Sequence, residues 1–358
     1  DPIALVKLGN CYIKGYGVVK DYSKAKEYYE FAAKQNDLKG FEKLGFIYRE
    51  GLGVKKDFEK AKQYYEMAAK GNNPDAFIGL GNLYASGQCV EQNYTKAKEY
   101  YELAAKQNQS QAFNNLGNIY QNGYGVKKDY SKAKEYYELA AKLFNANAYN
   151  NLGDLYCDED FDEKDYAKAK EYYESSIKLD KDSNSNKKLA ELYFNGLGVE
   201  VNYSKAIEYY ELASQNNDPE AYYKLGVIYS EGIGVDINIE KSLNYLELAA
   251  QQNYIQALLY LGFLYYKGNN VEKDYKKTKY YYERAAEPNS SEALLNLGVL
   301  YENGYGVDQD YSMAKNYYEL SAKQNNSIAL LNLGNLYFYG NGVKQNFTIA
   351  KYYYELSA

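Results

Sequence analysis

A Leu-Gly pair returns along this chain at an almost constant interval, and no other feature constrains the fold as tightly. It stands at Leu8-Gly9, Leu44-Gly45, Leu80-Gly81, Leu116-Gly117 and Leu152-Gly153. It continues as Leu189-Ala190, Leu225-Gly226, Leu261-Gly262, Leu297-Gly298 and Leu333-Gly334. The interval is 36 residues, with one step of 37 between the fifth and sixth copies. Self-similarity at such a period marks a stacked-repeat architecture. One unit cannot bury its apolar face alone, so neighbouring units share a continuous core.

Each unit reads as two helices, A and B. In the first unit Ala4, Leu8 and Tyr12 fall at i, i+4 and i+8, a helical stripe that ends at the turn Gly15-Tyr16-Gly17-Val18. Asp21 follows the turn, and its equivalents are Asp57, Asn93, Asp129, Asp165, Asn202, Asn238, Asp274, Asp310 and Asn346. A short side-chain acceptor at that point caps the free amides that open helix B. Helix B then carries Ala25, Tyr28, Tyr29, Ala32 and Ala33 toward the core and Glu30 toward water. A Gly inside helix A costs about 0.5–1 kcal/mol relative to Ala. Its return in nine of ten units therefore calls for close approach of the paired helix. Tyr at the Tyr12 position is expected to fill the space between neighbouring hairpins. The expected fold is an all-α solenoid of about ten 36-residue helix-turn-helix repeats.

The pattern Ala-x3-Leu-Gly-x2-Tyr-x2-Gly-x-Gly-Val-x2-Asp-Tyr-x2-Ala-x2-Tyr-Tyr-x2-Ala-Ala resembles the Sel-one-like repeat (SLR), a relative of the tetratricopeptide repeat with a longer hairpin loop. The resemblance covers essentially the whole chain. It implies a right-handed α-solenoid and a role as an adaptor in multiprotein assemblies, such as those of membrane-bound ubiquitin ligases, secretion and signalling.

The chain opens inside the first repeat and stops inside the tenth, so it reads as a single repeat array, 1–358, cut from a longer chain. The fifth unit is irregular. It replaces the Gly-x-Gly-Val turn by Glu159-Asp160-Phe161-Asp162 and the usual Ala-Ala by Ser176-Ile177, and it precedes the longer step. An irregular junction is expected at 176–190, separating 1–183 (repeats one to five) from 184–358 (repeats six to ten). Asp158, Asp160 and Asp162 alternate like the opening of a calcium loop. The sixth loop position is Glu163 rather than Gly and the twelfth is Ala169 rather than Glu, so a solvated loop is the better reading and no metal site is assigned.

Chemistry finds little to work with. The chain has no His, and the Ser/His/Asp and Cys/His constellations both need an imidazole. The Gly-x-Gly turns at Gly51, Gly123 and Gly232 follow helices, whereas phosphate loops of that pattern follow a strand and open a helix. The expectation is that the chain is not an enzyme and takes no cofactor. Its net charge is −6, and only Arg49 and Arg284 are arginine among 42 basic residues, a poor footprint for nucleic acid. Cys11, Cys89 and Cys157 are too sparse and irregular for a disulfide framework. Three of the six Asn-x-Ser/Thr sequons, at Asn93, Asn202 and Asn346, fall on helix caps, which explains the Asn without glycosylation. No apolar run is long enough to insert directly into a membrane.

If Leu8 and its equivalents face the core, residues two before and two after them lie about 200° away around helix A, and the residue five after continues that stripe. The family resemblance makes this the concave, partner-binding face. Units three to five present Asn82, Asn114, Asn118, Asn150 and Asp154 there. Units seven to ten present Tyr223, Val227, Leu259, Phe263, Tyr266, Leu295, Val299, Leu331 and Phe338. This apolar stripe either receives a protein or peptide ligand or is buried between successive A helices, and the Asn row either fixes a peptide backbone or is simply solvated. The leading functional expectation is a non-catalytic scaffold holding protein partners on the A-helix face. The alternatives are a rod built permanently into a large assembly, or the regulatory domain of a longer chain whose enzyme lies elsewhere.

Overall fold

The computed structural model describes residues 1–181, 183–268 and 270–358, with the side chain of residue 183 also outside the description. Asp182, within the expected junction at 176–190, is thus outside the described residues. The described residues form helices and turns and no strand. They divide into two compact units, Asp1–Ser185 and Asn186–Ala358. The first unit holds α1 (Pro2–Lys14), α2 (Tyr22–Ala33), α3 (Leu38–Glu50), α4 (Phe58–Lys70), α5 (Pro74–Ser86), α6 (Tyr94–Ala105), α7 (Ser110–Asn122), α8 (Tyr130–Lys142), α9 (Ala146–Cys157) and α10 (Tyr166–Leu179). Next along the chain come α11 (Ser183–Asn195), α12 (Tyr203–Ser214), α13 (Pro219–Glu231), α14 (Ile239–Gln251), α15 (Ile255–Lys267), α16 (Tyr275–Ala286), α17 (Ser291–Asn303), α18 (Tyr311–Ala322), α19 (Ser327–Tyr339) and α20 (Phe347–Ser357). Odd numbers are A helices and even numbers B helices. Within the first unit α2, α4, α6 and α8 each pack on their own A helix and on the one that follows, and within the second α14, α16 and α18 do the same, which is the stacking of a helical solenoid.

The boundaries have local causes. Asp129 Oδ1 accepts the amide of Lys132 at 2.9 Å and caps α8, and Asp21, Asp57, Asn93, Asn202 and Asn238 make the same bond at their own helices. At the other end α3 stops at Gly51, whose φ of 73° is a left-handed conformation that costs glycine nothing.

The repeated Tyr-Tyr of helix B does two jobs. The second ring lies against the Gly of helix A: a Cβ at Gly117 would stand 2.5 Å from Cδ1 of Tyr137, which is fully buried. Its hydroxyl emerges beyond the Gly and donates to the side chain two residues after the Leu, as in Tyr29 to Asn10 at 2.8 Å and Tyr354 to Asn335 at 2.9 Å. The first ring stacks on the A-helix Tyr, with centroids 5.6 Å apart for Tyr12 and Tyr28 and 5.9 Å for Tyr337 and Tyr353. The A-helix Tyr thus stacks inside its own hairpin and also meets the hairpin before it, as where the Tyr229 hydroxyl donates to Glu211 Oε1 at 3.3 Å and Lys279 of α16 stands 5.7 Å from the Tyr301 ring. The glycine's close approach draws helix B near enough for the two rings to meet. A lysine from the first turn of helix B covers the same ring, as Lys96 does over Tyr84 at 5.1 Å.

Candidate functional site

Successive A helices touch along the row two residues before the Leu. Val6, Glu42, Ile78, Asn114 and Asn150 in that row are only 5–8% exposed. The two Asn of the row are satisfied by the next A helix, whereas Glu42 pairs with Lys43 on its own helix. Asn151 Nδ2 donates to Asn114 Oδ1 at 2.9 Å, and Ser185 Oγ donates to Asn150 Oδ1 at 2.9 Å. The row two after the Leu is engaged from within the hairpin. Tyr101 donates to Asn82, Tyr137 to Asn118 and Tyr173 to Asp154, each at 2.7 Å. Asn115 Nδ2 adds a 3.3 Å bond to Asn82 Oδ1. The Asn row of unit 1 thus joins helices to one another through its carbonyl oxygens.

Unit 2 is different. Between α13, α15 and α17 lies a groove of about 440 Å³. Of the residues expected on the apolar stripe it gathers Tyr223, Leu259, Phe263, Tyr266 and Val299. Phe263 remains 40% exposed. Tyr223 and Tyr260 meet edge-to-face at 6.2 Å and 85°, and Tyr260 lies 6.1 Å from Phe263. Tyr266 is held edge-on by Tyr275 and Tyr305 at 5.8 and 5.9 Å. Tyr282, packed against Gly262, also lines the groove. The Tyr260 hydroxyl donates to Glu231 Oε1 at 3.0 Å and lies 2.7 Å from Ser230 Oγ. Burial, with the Glu231 contact also contributing, pushes the pKa of this phenol up to about 12, so it stays protonated at neutral pH. Lys267 Nζ stands 5.9 Å from the centroids of both Phe263 and Tyr266.

The remaining expected residues do not join this groove. Leu295 is 8% exposed and belongs to a core cluster with Tyr318 and Leu333, so it does not present a surface. Val227 is half-buried away from the groove lining. Leu331 is 44% exposed on α19, since residues 1–358 contain no further A helix to cover it. Phe338 packs edge-on against Phe347 and lines a separate hollow of about 340 Å³ with Tyr354.

The sequence reading missed Gln256, Tyr260, Lys267, Glu292 and Asn296, all of which line the groove. Contact between A helices takes up much of the row two before the Leu, but Tyr223 and Leu259 of that row still line the groove, and the open face extends into the next row as well. On α15 that row is Gln256, Tyr260, Phe263 and Lys267, at i, i+4, i+7 and i+11. The spacing was visible in the sequence as a stripe. Which of two adjacent stripes faces outward depends on how the hairpins stack.

The acidic loop of the fifth repeat is tied down by lysines. Lys134 pairs with Glu163 at 2.6 Å, Lys164 with Glu159, and Lys128 with Asp160 at 3.5 Å. Phe161 is buried between Tyr130 and Tyr156, where it plugs the place of the missing Gly turn. Among the described residues no group of three or more His, Cys, Asp and Glu is arranged to hold a metal ion. No helix among them is long and apolar enough to cross a membrane.

Comparison with known proteins follows the same register. The Sel1 repeat matches residues 2–37, 42–73, 74–109, 110–143, 146–181, 183–218, 219–254, 255–288, 291–326 and 327–358. The structure of c5321, a protective antigen of uropathogenic Escherichia coli strains displaying an SLR fold, is similar at 26% identity and a TM-score of 0.61, covering 100% of this chain and 84% of that one. A Sel1 repeat protein from Oxalobacter formigenes is similar at 27% identity and a TM-score of 0.66, covering 87% of this chain and 90% of that one. No curated protein sequence matches. The chain belongs to the Sel1 repeat family, whose members are typically protein-interaction scaffolds and generally non-catalytic.

Proposed function

We propose that this Sel1-repeat chain is a non-catalytic scaffold that holds a protein partner on the outer face of its A helices, with the groove between α13, α15 and α17 as the principal contact. The groove itself carries the reading. Its aromatic lining includes Phe263, exposed at 40% where a solvated face would carry polar groups, and its volume of about 440 Å³ suits several side chains of a peptide. The absence of His from the sequence and the internal use of the Asn row argue in the same direction.

A photo-crosslinking residue at Gln256 in the intact chain tests the proposal, beside the same residue at Tyr280, which is 52% exposed on a B helix. Discrete protein adducts that form at position 256 and not at 280 are the expected result. Equal labelling at the two positions, or none at 256, overturns the assignment of the groove.

A further inference from the structure

The groove carries an electrostatic asymmetry that goes beyond an apolar contact. Glu292 lines it and Glu231 reaches its rim through Tyr260. Both are exposed, and neither has an ion-pair partner among the described residues. Both carboxylates act on the hydroxyl of Tyr223, which burial first and then these two charges push above its ordinary pKa. Lys267 covers Phe263 and Tyr266. The groove thus presents crossed aromatic rings, two carboxylates and a single ammonium.

Crossed aromatic rings with neighbouring carboxylates suit one chemistry. The ring faces attract a cation, the carboxylates hold its charge, and the apolar wall accepts the alkyl stem that carries it. We propose that the groove recognises a basic-apolar peptide segment of its partner, seating an arginine or lysine between Tyr223, Tyr260 and the carboxylates of Glu231 and Glu292, with a neighbouring apolar residue on Leu259 and Phe263. This inference rests on the reading of the groove as a protein-binding site and adds the chemistry of what it binds.

Random peptides displayed on phage and selected on the intact chain supply the test, because no partner need be known. Peptides enriched in Arg or Lys next to an apolar residue are the expected outcome. A synthetic copy of the strongest peptide should bind about tenfold more weakly when its arginine is replaced by neutral citrulline. In the doubly substituted chain Glu231→Gln with Glu292→Gln, that discrimination should vanish. Two further variants at an exposed lining position test charge alone: Gln256→Lys should weaken the basic peptide and Gln256→Glu should strengthen it. Circular dichroism first establishes that each variant keeps its helices. Selected peptides without basic enrichment, but lost on Phe263→Ser, would overturn the cationic inference and leave the groove reading intact. Peptides that bind regardless of Phe263→Ser and of the charge at 256, or the recovery of no peptide, overturn both.

Discussion

Replacing Gly117 with alanine sets two opposed effects against each other in the middle of α7. On an isolated helix the change favours folding by about 0.8–1 kcal/mol. Here the added methyl would stand 2.5 Å from Cδ1 and 3.0 Å from Cζ of Tyr137. That ring is fully buried, and its hydroxyl is anchored by Asn118 at 2.7 Å and Gln121 at 2.6 Å. Moving it away gives up hydrogen bonds worth about 0.5–1.5 kcal/mol each. Leaving it in place costs about 1–3 kcal/mol of overpacking. Either route offsets the helical gain, so a net destabilisation of up to about 2 kcal/mol is expected. The sixth repeat shows the compromise form: Ala190 occupies the Gly position opposite Tyr210, and both are buried. In a repeat array the loss need not be two-state, so amide hydrogen exchange resolved to α7 and α8 is the assay, with chemical denaturation of the whole chain beside it. A double-mutant cycle with Tyr137→Phe completes the argument, since a ring without its hydroxyl bonds shifts more freely and Gly117→Ala should then cost less. If Gly117→Ala slows exchange in α7, helix propensity has won and the close-approach explanation of the repeated glycine is wrong.

Other outcomes follow from particular side chains. Leu295→Glu should lower stability by on the order of 3–5 kcal/mol, whereas Leu331→Glu should stay within about 0.5 kcal/mol of the parent in thermal melts. Equal effects would mean that the two residues are not, respectively, buried and exposed. Asp129→Ala removes the cap of α8 and should cost about 1 kcal/mol, read as faster exchange of the first-turn amides of that helix. Glu42 is buried between A helices, and burial raises its carboxyl pKa above 4.5 against the opposing pull of Lys43. The folded state therefore binds this proton more tightly than the unfolded chain. Its contribution to stability declines as pH rises from 4.5 through the raised value, and the loss persists above that window. Glu42→Gln should stabilise the chain at neutral pH and flatten the stability profile across that interval; a profile with the parent's slope would count against the assignment.

Local pattern was enough to specify the hairpin. The 36-residue interval, the Asp or Asn before each helix B and the Gly after helix A in every unit but the fifth determine where helices begin and end, because capping and left-handed turns depend on neighbouring residues alone. The Leu-Gly pair likewise announced a close helix contact, since nothing local recommends glycine inside a helix. What covers that glycine was not local. The Tyr137 ring over Gly117, and the hydroxyl bond that Asn118 accepts from it, join residues 20 and 19 positions apart. For this reason the sequence left the Asn row open between a peptide-binding and a simply solvated face. Stacking then decided which stripe of helix A stays open. The periodicity of one helix does not say how far round it the open face extends; contact with the next A helix buries Leu295, whereas Leu259, Tyr260 and Phe263 line the groove. A pattern of 3.6 residues per turn identifies the faces of a helix; the neighbour it packs against determines which of them meets water.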